Sequence, residues 1–255
     1  PPLPPSAPVI RPRYTTSFTT ATAASTNFHP QGMCYDAQEG ALVLALQGTH
    51  AALQLISPTD GGGIKSVPTS LTYQTGVACA QAPHEYFVSD YQANSGGDDL
   101  YRVSPNGSKA VASSERGAYG GYPLTMYGDE TLVRGELSST YSWARMEQLR
   151  FASRARLDAI TRTVTTDVPS GIGDLCYDGR RLHALSYDSA LVGRRLDSAA
   201  GGGGSAGARR RLGTAFTISG LHESTYQVDP DQTVTGDCPS ATVPAALACD
   251  RWSMW

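Results

Sequence analysis

Lysine is almost missing from this chain: Lys65 and Lys109 are its lysines, so nearly all of its 20 basic Lys and Arg side chains are arginine. Charged residues make up 17%, below the roughly 25% usual for soluble domains. With a formal net charge of -3 there is no surplus of Lys and Arg to grip phosphate backbones, so nucleic acid is not an expected partner. No run approaches the roughly 18 apolar residues that a membrane-spanning helix needs. The cysteines form no C-x-x-C and no paired Cys/His knuckle, which removes the usual zinc modules. None of the histidines, His29, His50, His84, His183 and His222, adjoins a Ser or Cys in a nucleophile motif. An initiator Met and a signal segment are also missing, and the opening Pro1-Pro2-Leu3 points to a processed N-terminus or an excerpt of a longer precursor.

What is abundant is turn chemistry, with 27 Gly and 16 Pro in 255 residues. Such a composition favours many short strands over long helices, and all-β barrels and propellers use this much chain as one domain. The stretch Phe28–Gly61 holds a complete rhythm: a short apolar strand ending at Tyr35-Asp36, a turn, a strand Ala41–Leu46, a second turn, and a strand Ala52–Ser57. The rhythm returns in Val77–Ala80, Glu85–Asp90 and Asp99–Ser104, then in Leu124–Tyr127, Thr131–Glu136 and Arg145–Phe151, then in Asp174–Tyr177 and Arg181–Tyr187. Aligned, these units place Cys34, Cys79, Met126 and Cys176 at one position. Their spacing of about 45 to 50 residues is that of four-stranded propeller blades. The expected fold is therefore all-β, a β-propeller with four clear blade units. Thr214–Ile218 and Ser224–Asp229 read as further strands that either complete the fourth unit or begin a fifth, and weak terminal strands leave room for a sixth.

The motif Pro30-x-Gly32-Met33-x-x-Asp36, Gly40-x-Leu42-x-Leu44, Leu53-x-x-Ile56, Pro58-x-x-Gly61 resembles the NHL-type β-propeller repeat. The second and fourth units share it in part, through Gly76-Val77-Ala78 and through Gly171-Ile172 and Cys176-Tyr177-Asp178; the third fits by hydrophobic spacing alone. The resemblance implies a propeller of the NHL-like or gluconolactonase-like kind, which usually has six blades. It also gives architectural roles, with Gly32 and Gly61 in turns, Cys34 in the core and Asp36 in a strand-end bond. Propellers are commonly sealed by an N-terminal strand paired into the last blade, and the Thr-rich Tyr14–Ala24 suits that task.

Three segments stand outside the repeat. Residues 1–13 form a Pro-rich extended arm, which cannot join a central sheet for want of ladder N–H groups. Residues 14–236 form the propeller, interrupted by a flexible Gly/Arg loop at 198–212. Residues 237–255 form a Cys-bounded tail with Trp252 and Trp255 as aromatic anchors.

Candidate chemistry is sparse. Cys34, Cys79 and Cys176 read as small buried core residues about a blade apart, too far to pair with one another. Cys238 and Cys249, in a tail with little core, read as a disulfide, which implies an oxidising compartment. Asn106-Gly107-Ser108 is the sole glycosylation sequon and falls on a hairpin tip, where Asn-Gly turn chemistry alone also accounts for it. Asp36, Asp90, Asp129, Asp174, Asp178 and Asp188 fall near strand ends, and of these Asp36, Asp90 and Asp178 are candidate carboxylates for a channel mouth. Turn capping is the commoner role for such Asp residues.

These readings favour an extracellular or cell-surface module that binds or assembles with a protein or glycan partner without turnover and without a cofactor. A metal-dependent hydrolase or lactonase, holding Ca²⁺ on channel-mouth oxygens, is the alternative. A subunit of a larger cell-surface or ciliary assembly is a third reading. A membrane enters only through a partner or a removed anchor.

Overall fold

A computed structural model describes residues 29–47, 52–71, 74–92, 97–116, 123–128, 130–137, 144–153, 156–168, 173–187, 214–238, 246–249 and 254–255. The Pro-rich arm, the proposed closing strand Tyr14–Ala24 and the loop 198–212 lie outside these residues.

Among the described residues sixteen strands form four antiparallel sheets of four, each built from strands consecutive in the chain. The first sheet holds β1 (His29–Asp36), β2 (Ala41–Gln47), β3 (Ala52–Ile56) and β4 (Gly63–Pro68). The second holds β5 (Gln74–Gln81), β6 (His84–Gln92), β7 (Gly97–Val103) and β8 (Lys109–Arg116). The third holds β9 (Leu124–Tyr127), β10 (Thr131–Leu137), β11 (Ala144–Ser153) and β12 (Arg156–Thr166). The fourth holds β13 (Asp174–Tyr177), β14 (Leu182–Tyr187), β15 (Thr214–Leu221) and β16 (Val228–Cys238). Thr214–Ile218 is thus the delayed third strand of the fourth unit and does not begin a fifth. Ser224–Asp229 is corrected: residues 222–227 turn, with Tyr226 at φ 56° and fully buried, before β16 begins at Val228. Because β16 runs on to Cys238, the expected boundary between propeller and tail at 236/237 falls inside a strand.

The first strands are neighbours in turn: β1 touches β5, β5 touches β9, β9 touches β13, and β13 touches β1. Strands that lie between two other sheets bury both faces and read as continuous apolar runs. In β2, Ala41, Val43 and Ala45 pack with Val77, Cys79, Tyr86 and Val88 of the second sheet. Leu42, Leu44 and Leu46 face the other way, toward Ala248 and Trp255. Between the second and third sheets, Ala78, Ala80, Phe87 and Leu100 meet Leu124 and Leu132. Between the third and fourth, Val133 and Met146 meet Leu175, Leu182, Ala184 and Tyr226. Each of these three sheet-on-sheet seams therefore has its own apolar cluster.

The cysteine pairing differs from expectation. Cys34 of β1 is bonded to Cys79 of β5, with Cα atoms 5.7 Å apart, so equivalent positions in adjacent units do pair. The physical reason is convergence: first strands of neighbouring sheets approach one another far more closely than the outer strands. Cys249 is bonded to Cys176 of β13, with Cα atoms 5.6 Å apart, and therefore not to Cys238. The bridge anchors the tail to β13, the first strand of the fourth sheet.

Candidate functional site

A cavity of about 250 Å³ opens between the first strands of all four sheets. The four residues aligned by the repeat, Cys34, Cys79, Met126 and Cys176, all line it, joined by Met33 and Cys249. Its wall is thus unusually rich in sulfur, as two disulfides and two thioethers. Toward the turns that follow the first strands it is lined by Tyr35, Tyr177, Gln81 and Asp178.

The carboxylates at this end are engaged locally. Asp36 closes β1, is fully buried, and accepts backbone N–H bonds from Gln38 (2.9 Å) and Glu39 (3.2 Å), an arrangement that folds the β1–β2 turn. Its other oxygen bonds His84 Nε2 at 2.7 Å and accepts the Tyr86 hydroxyl at 2.8 Å, both from β6 of the next sheet. Burial acts to raise the Asp36 carboxyl, but the bonds from His84, Tyr86 and the Glu39 amide outweigh it and hold the group below its ordinary value. The same carboxylate, with burial as the larger cause, pushes the Tyr86 phenol far up.

Asp178 repeats the device in the fourth sheet. It accepts N–H bonds from Arg180 (2.7 Å) and Arg181 (2.6 Å) and pairs with His183 Nε2 at 3.0 Å. Here too burial raises the carboxyl, and the His183 and backbone bonds bring it below the usual range. Asp90 stands apart. It pairs in register with Gln74, at the start of β5, while the cavity is reached by Gln81 at that strand's end. Of the three candidate channel-mouth carboxylates, Asp178 lines the cavity, Asp36 lies beside it and faces the second sheet, and Asp90 is at the far end of its sheet. Among the described residues no group of three or more His, Cys, Asp or Glu is placed to hold a metal ion.

Asn106 sits as expected on the tight β7–β8 turn and is exposed. Its Oδ1 accepts the Ser108 N–H at 3.1 Å and the Ser104 hydroxyl.

Asp174, in the sequence one of several acidic residues near strand ends, is fully buried at the start of β13. One of its oxygens accepts N–H bonds from Met33 (3.2 Å) and Leu247 (2.6 Å), the other from Leu175 (2.9 Å). It ties together the first sheet, the fourth sheet and the tail. Burial pushes its carboxyl well above the ordinary value against the opposing pull of these three donors. Nothing local sets Asp174 apart in the sequence, because the two partners that give it this role are 73 and 141 residues away.

No protein-family profile matches the chain, and no curated protein sequence matches it. Among solved structures it is similar to a chain in the crystal structure of a nidogen/laminin complex, with 10% identity, a TM-score of 0.53, and coverage of 87% of this chain and 69% of that one. Fainter likenesses are to Kuenenia stuttgartiensis hydrazine synthase (10% identity, TM-score 0.46, 87% of this chain and 53% of that one) and to a protein from Lactobacillus plantarum (12%, 0.42, 75% and 64%). At these identities the likeness is one of fold. The chain is an all-β protein of the β-propeller type, and the two disulfides are consistent with an oxidising, extracellular setting. No helix among the described residues is long and apolar enough to cross a membrane.

Proposed function

We propose that this protein is a disulfide-braced β-propeller module of the extracellular space or cell surface, in which the four sheets are blades of one ring, and that it binds a protein or glycan partner without turnover. The observation that carries the reading is the state of the cavity. Its wall carries two disulfides and two thioethers, while Asp36 and Asp178 are engaged by turn amides and by His84 and His183. A site so built holds the ring together and leaves recognition to the surrounding loops, as repeat folds commonly do. The likeness to a chain from a two-protein complex supports a protein partner. In this reading Asn106 carries a glycan, on an exposed turn where it disturbs no packing.

The test uses the whole chain secreted from eukaryotic cells in oxidised form. It is presented to arrays of extracellular proteins and of glycans, with lactone and ester hydrolysis followed in parallel with and without added Ca²⁺. Saturable binding to one partner class, lost on unfolding, supports the proposal. Ca²⁺-dependent hydrolysis with no saturable partner replaces it with the hydrolase reading. Peptide mapping of the same material reads the occupancy of Asn106.

A further inference from the structure

Three of the four seams are made by sheet packing directly on sheet, and the fourth is not. Between the fourth and first sheets lies the segment 246–249 with 254–255. Ala248 and Trp255 are joined by two backbone hydrogen bonds, Ala248 N–H to Trp255 O at 3.0 Å and Trp255 N–H to Ala248 O at 2.7 Å, and Cys249 bridges Met254. In this extended segment neighbouring side chains point to opposite faces. Ala248 packs on Leu42, Leu44, Leu46 and Ile56 of the first sheet. Leu247 and Cys249 pack on Cys176 and Leu185 of the fourth, with Phe216 and Ile218 at the edge of that cluster. Trp255 stacks on Tyr35, with ring centroids 5.1 Å apart. One covalent bond, Cys176–Cys249, holds this wedge in place. Direct contact between β1 and β13 is slight beside that of the other neighbouring pairs, and Asp174 spans both with its bonds to Met33 and Leu247.

We infer that residues 246–249 and 254–255 are the clasp that closes the ring between the fourth and first sheets, and that a dithiol releases it by reducing Cys176–Cys249. The inference rests on the ring reading given above. Both cysteines line the cavity, which gives a small reductant its approach. One thiolate of the dithiol attacks a cystine sulfur, forming a mixed disulfide and expelling the other Cys as thiolate. The second thiol of the reductant then displaces the bound Cys, leaving two protein cysteines reduced and the reductant as its cyclic disulfide. Cys34–Cys79 has no such consequence, because the first and second sheets remain joined by the shared core of Val43, Val77 and Tyr86.

The test is hydrogen exchange on the intact chain, oxidised, titrated with dithiothreitol, and as the pairs C176S/C249S and C34S/C79S. In the oxidised protein the amides of Met33, Ala248 and Trp255 should be protected. Loss of Cys176–Cys249, by reduction or substitution, should speed their exchange at least tenfold more than that of Val77 and Val88 in the second sheet. C34S/C79S should leave Ala248 and Trp255 protected. Should C176S/C249S not fold, W255A in the oxidised chain reads the same seam. Fast exchange at Met33 in the untreated protein overturns the ring reading itself. Protection there that survives reduction, or a loss spread evenly over all four sheets, overturns the clasp alone.

Discussion

Gly32 of β1 and Gly76 of β5 pass so closely that a Cβ on Gly32 would lie 2.7 Å from the Gly76 Cα and 2.9 Å from the Val77 nitrogen. The glycine of the Pro-x-Gly motif is therefore not in a turn, as the sequence led us to expect. It is a contact point between adjacent sheets, two residues before the Cys34–Cys79 bond. Gly61 does keep the turn role, at φ 72°.

Gly32→Ala should destabilise the protein by about 1–3 kcal/mol, the range for forcing an extra methyl group into a packed interior. The atoms it meets are backbone, so no side chain can swing aside. Urea denaturation measures the loss, and a variant as stable as the parent would mean that β1 and β5 are not held this close.

Removing the bond at the same seam should cost more than a contact. Cys34 and Cys79 are 45 residues apart, and releasing a loop of that size restores unfolded-chain entropy of about 3–4 kcal/mol. The pair C34S/C79S should fold and show this loss in its unfolding free energy, without change in far-ultraviolet circular dichroism. A loss under about 1 kcal/mol would count against the bridge.

The strands legible in the sequence were those buried on both faces. Ala41–Leu46 announced β2 because two neighbouring sheets each take one of its faces, and Leu124–Tyr127 and Asp174–Tyr177 matched β9 and β13 residue for residue. The fourth strand of every sheet escaped. In β4 the burial alternates weakly, with Ile64 49% exposed and Val67 alone deeply buried, so no apolar period marks it. The repeat register was also legible, since Cys34, Cys79, Met126 and Cys176 line one cavity. The pairings were not, because a one-dimensional spacing does not say how far neighbouring first strands converge. Asp36 could be read as a turn former, but its bonds to His84 and Tyr86 cross a seam and had no local mark.

The Asp36 cluster sets a pH dependence. Its carboxyl is held below the ordinary value of 3.8 in the folded protein, so the stability it contributes is present above pH 3.8 and is lost as pH falls through the folded value. Asp36→Asn should lower stability by about 1–3 kcal/mol at pH 7, the usual cost of leaving buried polar partners mismatched. The gap between variant and parent should narrow below pH 3.8. Denaturation curves from pH 2 to 7 test this; a gap that stays constant throughout would remove Asp36 as the titrating group.

Asp174 should act with the opposite sign. Burial raises its carboxyl well above 3.8, so the folded protein holds this proton more tightly than the unfolded chain does. Its contribution is then fullest below pH 3.8 and declines as pH rises through the folded value. Asp174→Asn should abolish that decline. It should also cost about 1–3 kcal/mol at acidic pH, because the amide NH₂ must replace an oxygen that now faces the N–H of Leu175 or those of Met33 and Leu247. Since those donors belong to three different parts of the fold, the loss should appear as faster hydrogen exchange at Met33 and Leu247 together. If only Leu175 responds, Asp174 serves β13 alone and does not tie the first sheet to the tail.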